Sequence, residues 1–243
     1  MEIRGKTALV TGGAKRVGRV IALALAGKGA HVLLHYRSSE KEARETASEI
    51  DILGGRCSLF QADLSRSSDI QKMLIEIEKQ CFSVDILVNG ASLYFKTPVE
   101  SVREELWDEL IAANLKAPFL LSVEIGRRMS KLSGGKIVNI ADWSGFRPYK
   151  DFNAYCTSKG GLITMTKALA RDFAPKIQVN AVAPGPVLPP PDMNEAEKAA
   201  IAKTTALGRW GKPEDVASAV IFLVENDFVN GIVLVVDGGR SIV

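Results

Sequence analysis

The chain has 243 residues, of which 47% are hydrophobic, with 31 basic and 28 acidic side chains. The hydrophobic content is sufficient for a large core, and the nearly balanced charge, without long blocks of one sign, disfavours nucleic acid or a membrane surface as the partner. No apolar run reaches the ~18 residues of a membrane span, and no signal core precedes the first strand. We therefore expect a cytoplasmic protein whose partner is a small molecule.

Cysteine and histidine usage indicates neither a disulfide framework nor a metal. Cys57, Cys81 and Cys156 are far apart, odd in number and without a C-x-x-C pair. His31 and His35 fall on one predicted strand with no acidic or thiol companion, so we interpret them as structural residues.

Short apolar strands alternate with helices along the whole chain. Strands are predicted to end at Thr11 and to span 30–35, 56–61, 85–89, 135–140, 178–183 and 232–236. Helices are predicted from near Val17, over 40–53, 67–80, 102–131 with a break near 114–118, and 153–172, and from Pro213. This alternation predicts one α/β domain over 1–243, a Rossmann-type doubly wound parallel sheet of about seven strands with helices on both faces.

Residues 184–207 do not follow the alternation. The segment is rich in proline up to Pro191 and then has a helical pattern over 194–206. A long irregular insertion at the carboxyl edge of a strand is typical of a substrate loop, and the alternative is a plain surface excursion.

A glycine-rich turn joins the first strand to the first helix. Gly12, Gly13 and Gly18 let the backbone approach a ligand closely, and the first turn of the helix offers unpaired N–H groups and a positive dipole end. The position of the turn at the edge of a doubly wound sheet favours a dinucleotide pyrophosphate over a connection without a ligand.

Tyr155 and Lys159 stand four residues apart on a predicted helix and so share one face. A nearby ammonium favours the charged form of a phenol, so we expect the pKa of Tyr155 to fall toward a range useful for proton transfer.

With these motifs the chain resembles the short-chain dehydrogenase/reductase family over essentially its whole length. The matching positions occur in the family's order: Thr11 and Gly12 with Gly18, Asp63, Asn89-Gly90-Ala91-Ser92, Asn114, Tyr155 with Lys159, Pro184-Gly185, and Asp237-Gly238-Gly239.

The resemblance implies roles for these positions. Tyr155 would be the general acid, Lys159 would bind the nicotinamide ribose and lower the pKa of the tyrosine, and Asn114 would hold a water in a proton relay. Implied cofactor contacts are Asp63 and Leu64 at the adenine, Asn89 and Ala91 on the adenosine side, and Pro184, Gly185 and Val187 at the carboxamide end.

Three positions depart from the commonest family pattern: Arg16 replaces the middle glycine of the turn, Gly90 replaces an asparagine, and Asp142 replaces the usual serine. Arg16 and Asp142 together resemble the pteridine and dihydromonapterin reductases, which also place an aromatic residue where Tyr94 stands, beside Phe95. The alternatives are a solvated turn for Asp142, packing for the two aromatic residues, and a cofactor phosphate contact for Arg16.

The end of the second strand indicates the cofactor. Its sequence, His35-Tyr36-Arg37-Ser38-Ser39, has no carboxylate before Glu40 to bind a ribose 2′-hydroxyl. The fork of Arg37 and the two serine hydroxyls suit a 2′-phosphate, so NADPH is the expected cofactor. All expected cofactor contacts are Gly12, Lys15, Arg16, Val17, Gly18, Tyr36, Arg37, Ser38, Ser39, Asp63, Leu64, Asn89, Gly90, Ala91, Tyr155, Lys159, Pro184, Gly185 and Val187.

We therefore predict an NADPH-dependent reductase that transfers hydride to a small planar substrate, a dihydropterin. The predicted catalytic residues are Asp142, Tyr155, Lys159 and Asn114, and the predicted substrate contacts are Arg16, Ser92, Tyr94, Asp142 and Tyr155. The alternatives are a 3-oxoacyl-[acyl-carrier-protein] or other carbonyl reductase, and a non-catalytic NADP-binding sensor.

The two longest predicted helices carry more apolar side chains than one sheet face needs. The family resemblance implies a homotetramer with two-fold interfaces built from these helices and the C-terminal strand. The residues taken as surplus are Phe119, Leu120, Leu121, Leu162, Ile163 and Met165.

Overall fold

The computed structural model describes residues 1–80 and 83–243, so Cys81 lies outside the described residues. In these two ranges the chain forms seven strands: β1 (Thr7–Thr11), β2 (His31–Tyr36), β3 (Arg56–Gln61), β4 (Ile86–Asn89), β5 (Gly135–Ile140), β6 (Ile177–Pro184) and β7 (Val233–Val236). The helices are α1 (Arg16–Gly27), α2 (Glu40–Ile52), α3 (Ser67–Lys79), α4 (Glu104–Ile111), α5 (Ala117–Lys131), α6 (Asn153–Asp172), α7 (Glu195–Ala202) and α8 (Pro213–Glu225).

All strand pairs of the sheet are parallel, in the order β3-β2-β1-β4-β5-β6-β7. The order reverses between β1 and β4, where loops from the two halves diverge and leave a crevice at the carboxyl edge of the strands. The predicted single-domain doubly wound sheet is confirmed.

Alternate side chains of each strand supply two separate core layers. In β1, Ala8 and Val10 belong to the layer covered by α1, α2 and α8, whereas Leu9 belongs to the layer covered by α3, α5 and α6. Burial on both faces explains why the strands are nearly continuous apolar runs. Among the described residues, no helix combines the length and apolarity needed to cross a membrane.

The predicted break near 114–118 is a widened helical turn. A π-helical turn, Ala112–Lys116, joins α4 to α5, and the residues on both sides keep right-handed helical dihedral angles. Pro118 lies in the first turn of α5, where its missing N–H costs little. In the 184–207 segment, α7 begins where the pattern predicts, with Asn194 as its cap, but it ends at Ala202 and is therefore shorter than the predicted 194–206.

The β1–α1 turn depends on missing side chains. A Cβ on Gly18 would lie 2.1 Å from the carbonyl oxygen of Gly12, and a Cβ on Gly12, whose φ is +68°, would lie 2.9 Å from the Cα of Ala91. The turn can therefore form only with glycine at both positions.

We predict that Gly18→Ala lowers NAD(P) affinity by at least about tenfold and lowers the melting temperature, because the turn must open to admit the methyl group. Gly27→Ala in the same helix is the matched control, since its added Cβ would have no atom within 4 Å. Isothermal titration and thermal unfolding measure both effects. Wild-type affinity in Gly18→Ala would show that the turn does not form this way.

Candidate active site

A cavity of about 560 Å³ lies at the crevice where the strand order reverses. Loops after β1, β2, β3, β4, β5 and β6 contribute to its wall. Of the predicted site residues, those in the wall are Gly12, Lys15, Arg16, Val17, Gly18, Tyr36, Arg37, Ser38, Ser39, Asp63, Leu64, Gly90, Ala91, Ser92, Tyr94, Asp142, Tyr155, Lys159, Pro184, Gly185 and Val187.

His35 of β2 holds the glycine turn through a hydrogen bond to its backbone. The Gly12 N–H donates to His35 Nδ1 at 3.1 Å, and His35 Nε2 lies 3.0 Å from the carbonyl oxygen of Ala62. These partners require a neutral ring with its proton on Nε2. Burial lowers the pKa of His35 to about 4, only partly offset by the Ala62 hydrogen bond and the Asp63 charge. The structural interpretation of His35 is therefore supported by its contacts.

Arg16 connects the turn to the segment after β6. Its φ of +55° is in the left-handed region, which explains why glycine is common at this position. Its Nη2 donates to the carbonyl oxygen of Leu188 at 3.2 Å. The side chain thus joins the first turn of α1 to the 184–207 segment at the cavity mouth.

The end of β2 presents basic and hydroxyl groups to the cavity. Arg37, Ser38 and Ser39 line it, whereas Glu40 does not. The Oε1 of Glu40 accepts hydrogen bonds from Arg44 Nε at 3.0 Å and Nη2 at 2.7 Å. The first carboxylate after β2 is therefore already paired outside the cavity.

Asp63 is a carboxylate of the cavity wall that interacts with the charge of Arg37. Its Oδ1 accepts from Ser65 N at 3.0 Å and Ser65 Oγ at 2.7 Å. Burial alone raises the pKa of Asp63, but the Ser65 hydrogen bonds and the charges of Arg37 and Arg66 outweigh it, so the pKa is lowered. Asp63 is thus an ionised acceptor beside Arg37.

Tyr155 and Lys159 enter the cavity one helical turn apart on α6. The Tyr155 hydroxyl donates to Asp142 Oδ2 at 3.0 Å. Lys159 Nζ donates to the carbonyl oxygen of Ile140 at 2.9 Å and lies 5.6 Å from the centroid of the tyrosine ring. Both residues are buried.

The expected decrease in the pKa of Tyr155 is wrong. Burial raises this pKa well above its ordinary value, and the charge of Asp142, the neighbouring Tyr149 and the hydrogen bond to Asp142 raise it further. Burial also lowers the pKa of Lys159 to about 8. Desolvation and the Asp142 carboxylate raise the pKa of Tyr155 by more than the Lys159 ammonium can lower it, so the phenol keeps its proton at neutral pH.

Asp142 accepts hydrogen bonds from two tyrosines. It caps the short 3₁₀ turn Trp143–Gly145, where its Oδ1 accepts from Ser144 N at 2.8 Å. The same Oδ1 accepts from the Tyr149 hydroxyl at 3.0 Å, while Oδ2 accepts from Tyr155. Asp142 is therefore a hydrogen-bonded part of the site, and the alternative of a solvated turn residue is not supported.

Aromatic rings form one wall beside Tyr155. Tyr94 stacks on Phe152 with centroids 4.7 Å apart and planes 16° apart, and meets Tyr155 edge-on at 4.8 Å. Tyr94 lines the cavity and is about half exposed, whereas Phe95 packs in the cluster around Tyr155. Tyr94 is thus placed to meet a planar ligand, and Phe95 is a packing residue.

Asn89 and Asn114 are not in the cavity wall. Asn89 is buried and donates to Ser122 Oγ and Asn139 Oδ1, and Asn114 bonds through its amide to both backbone groups of Leu93. The implied roles, a relay water at Asn114 and an adenosine-side contact at Asn89, stay predictions, and Asn89 Oδ1 is buried with no hydrogen-bond partner among the described residues. A backbone role for either residue stays a prediction.

Sequence reasoning missed several wall and support residues. Tyr149 and Phe152, which support the wall without lining the cavity, lie in the irregular segment before α6, where no periodic pattern indicates which side chains face inward. The wall residues outside the predicted set are Ala14, His35, Ser65, Leu93, Ala113, Ile140, Ala141, Pro186 and Leu188.

A family model described as short chain dehydrogenase matches residues 6–201. The chain belongs to the short-chain dehydrogenase/reductase family. It is an oxidoreductase of a family that uses NAD or NADP, which confirms the enzyme hypothesis over that of a non-catalytic sensor.

Relatives of this short-chain dehydrogenase/reductase have different substrates. The NAD-dependent glycerol dehydrogenase of Listeria innocua is 35% identical, covering 99% of this chain and 95% of its own. The 2-dehydro-3-deoxy-D-gluconate 5-dehydrogenase of Pseudoalteromonas atlantica is 34% identical, covering 98% and 96%. The structure of FolM alternative dihydrofolate reductase 1 from Brucella canis, complexed with NADP, aligns with a TM-score of 0.93 at 30% identity, covering 100% of this chain and 96% of that one.

We predict that His35 makes folding sensitive to mild acid. Because its folded pKa is lowered from 6.5 to about 4, the unfolded chain binds the proton first as the pH falls. Its contribution, roughly 3 kcal/mol, is complete above about pH 6.5 and is lost as the pH falls toward 4. Denaturant unfolding across this range measures the slope.

In His35→Asn the amide oxygen can still accept from Gly12 but cannot titrate here, so the variant should lose less stability across this pH range than wild type. His31→Asn, on the same strand but less buried, is the control and should keep most of the wild-type slope. Equal slopes for wild type and His35→Asn would contradict the prediction.

Proposed function

We propose that this protein is an NADPH-dependent reductase of a dihydropterin-type substrate. The observation that carries the proposal is the Asp142 carboxylate bonded to the Tyr155 hydroxyl inside a cavity with an aromatic wall. A carboxylate at this position accepts hydrogen bonds, so it suits a substrate that presents donors.

The cavity fits a dinucleotide. The tight turn at Gly12 and Gly18 lines the cavity, and the start of α1 faces the same cavity, where its N–H groups suit a pyrophosphate. Arg37 with Ser38 and Ser39 would hold a 2′-phosphate, and Glu40 is paired with Arg44 and does not oppose it. The bound nicotinamide would supply the hydride.

Tyr155 is the proposed general acid. Its raised pKa keeps the phenol protonated, which is the form a reduction needs. Lys159, held by the carbonyl of Ile140, is placed to bind the nicotinamide ribose and to stabilise the phenolate once the proton has left. Asp142 holds the phenolic hydroxyl in place and would orient donor groups of the substrate.

A reduced pterin offers ring N–H and amino donors, whereas a 3-oxoacyl carbonyl offers only acceptors and would be repelled by an ionised Asp142. Tyr94 would stack on the planar ring, and Arg16 and Ser92 complete the proposed substrate contacts. Residues 184–207, joined to Arg16 through Leu188, are the proposed substrate loop.

A second candidate is a dehydrogenase of a small polyhydroxylated substrate. The names of the glycerol and deoxygluconate relatives support it, and a substrate hydroxyl is also a donor toward Asp142. Side-by-side assays with dihydropterin, acetoacetyl, glycerol and deoxygluconate substrates separate the two candidates.

We predict that Arg37→Ala lowers kcat/KM with NADPH by about 10- to 100-fold, the effect of losing a hydrogen bond to a charged group, and changes the value with NADH little. Lys41→Ala is the control, because Lys41 is an exposed cation on the same helix that pairs with Glu45 and does not line the cavity. Wild-type enzyme that uses NADH and NADPH with equal efficiency would overturn the proposed preference.

We predict that Asp142→Ser loses dihydropterin reduction while keeping or gaining activity on an acetoacetyl substrate, because a hydroxyl can donate to a carbonyl oxygen. Steady-state oxidation of NADPH with each substrate measures the change. A serine variant that reduces dihydropterin as well as wild type would refute the assignment.

Tyr155→Phe provides the companion control for that assay. It removes the proposed acid, so turnover on every substrate should fall by about 10²- to 10⁴-fold while NADPH binding is kept. Near-normal turnover in Tyr155→Phe would show that Tyr155 is not the general acid.

We also propose a homotetramer. Of the apolar residues taken as surplus, Leu121, Leu162 and Ile163 are buried in the core of this chain, so the argument from them is wrong. Support comes instead from large apolar side chains that stay exposed. These are Phe119 on α5, Phe222 on α8, Ile232 just before β7 and Val235 on β7.

Light scattering at micromolar concentration should give the mass of a tetramer, and Phe222→Asp should lower it, because a charge would be buried in the interface. Ile52→Asp, at an exposed residue at the end of α2 and near the β3 edge of the sheet, far from β7, should leave the mass unchanged. A monomeric wild-type protein would contradict the proposal.

A further inference from the structure

Tyr149 bonds to the same carboxylate as Tyr155 but from outside the cavity. Its hydroxyl donates to Asp142 Oδ1 at 3.0 Å, and it is not among the residues that line the cavity. Asp142 therefore lies between a tyrosine that faces the ligand space and a tyrosine that supports the carboxylate from behind.

The ring of Tyr149 is itself held in place. It meets Trp143 at 5.3 Å and Phe152 edge-on at 5.7 Å, and it packs against the cluster that contains Tyr155. A ring fixed on two sides delivers its hydroxyl to one point. That point is Asp142 Oδ1.

The second donor matters because the terminal torsion of an aspartate is soft and nearly two-fold. With Ser144 N alone on Oδ1, the carboxylate can rotate about that torsion. With Tyr149 added, rotation breaks a second hydrogen bond, so Oδ2 stays directed at Tyr155.

We propose that Tyr149 is a positioning residue of the reductase site, which fixes the Asp142 carboxylate so that Oδ2 faces Tyr155 and the ligand. An ionised carboxylate offers about four acceptor sites, and the described residues occupy two on Oδ1 and one on Oδ2. The acceptor site left on Oδ2 is available to a hydrogen-bond donor of the substrate. The identity of that donor group rests on the proposed function, whereas the role of Tyr149 does not.

The test is a double-mutant cycle of Tyr149→Phe and Asp142→Ala, measured with dihydrobiopterin and NADPH. Tyr149→Phe should lower kcat about tenfold with the KM for NADPH unchanged, and the same change in the Asp142→Ala background should cost less than about twofold. Trp210→Phe, which removes an indole N–H that donates to the Lys198 carbonyl oxygen and not to Asp142, is the control and should combine additively with Asp142→Ala. Equal effects of Tyr149→Phe in both backgrounds would overturn the proposal.

Unfolding of the same four proteins by denaturant gives a readout without turnover. Tyr149→Phe should lower the midpoint in the wild-type background and change it much less beside Asp142→Ala, and equal decreases would overturn the hydrogen-bond assignment.

If wild type reduces acetoacetyl or oxidises glycerol and does not reduce dihydrobiopterin, the proposed substrate fails, and the kinetic cycle on the accepted substrate decides the role of Tyr149. If wild type accepts none of these substrates, the unfolding cycle decides it alone.

Discussion

The contact on which the site depends is the approach of two stretches of backbone with no side chain between them. The Cα of Gly18 faces the carbonyl oxygen of Gly12 at a distance that excludes even a methyl group. Because Gly12 also lies against Ala91 and bonds to His35, the same contact aligns the ends of β1, β2 and β4. A change of a few tenths of an ångström in the distance between Gly12 and Gly18 would move three loops of the cavity wall together.

The electrostatics of the site follow from burial more than from pairing. Tyr155 and Lys159 are both almost inaccessible to solvent, and desolvation favours the neutral form of each. Asp142 brings the negative charge, and it accepts three hydrogen bonds from the residues around it. The phenol is therefore a poor acid until another charge or a substrate changes its surroundings, which limits proton loss when no reaction is under way.

Periodicity and turn chemistry predicted most of the fold, because strands buried on both faces and helices ended by glycine leave strong local patterns. The pairing of Tyr155 with Lys159 could also be predicted from the sequence, because residues four positions apart on a helix lie on the same face. The direction of the Tyr155 pKa shift could not be predicted from the sequence, because desolvation depends on how the whole chain covers the ring. The direction of the Asn89 and Asn114 side chains was not predictable either, since only the packed structure shows which groups their amides contact.

The π-helical turn between α4 and α5 has a consequence for how this chain tolerates changes in length. Such a turn holds one residue more than an α turn, and each residue of an α-helix turns by about 100°. The wide turn takes up this extra residue locally, so that Leu121 and Ile125 of α5 still face the sheet. Deletion of one residue from Ala112–Lys116 would convert the π turn into an α turn and leave the face of α5 in place, whereas deletion of one residue between Ala117 and Leu121 would rotate that face by about 100° and out of the core.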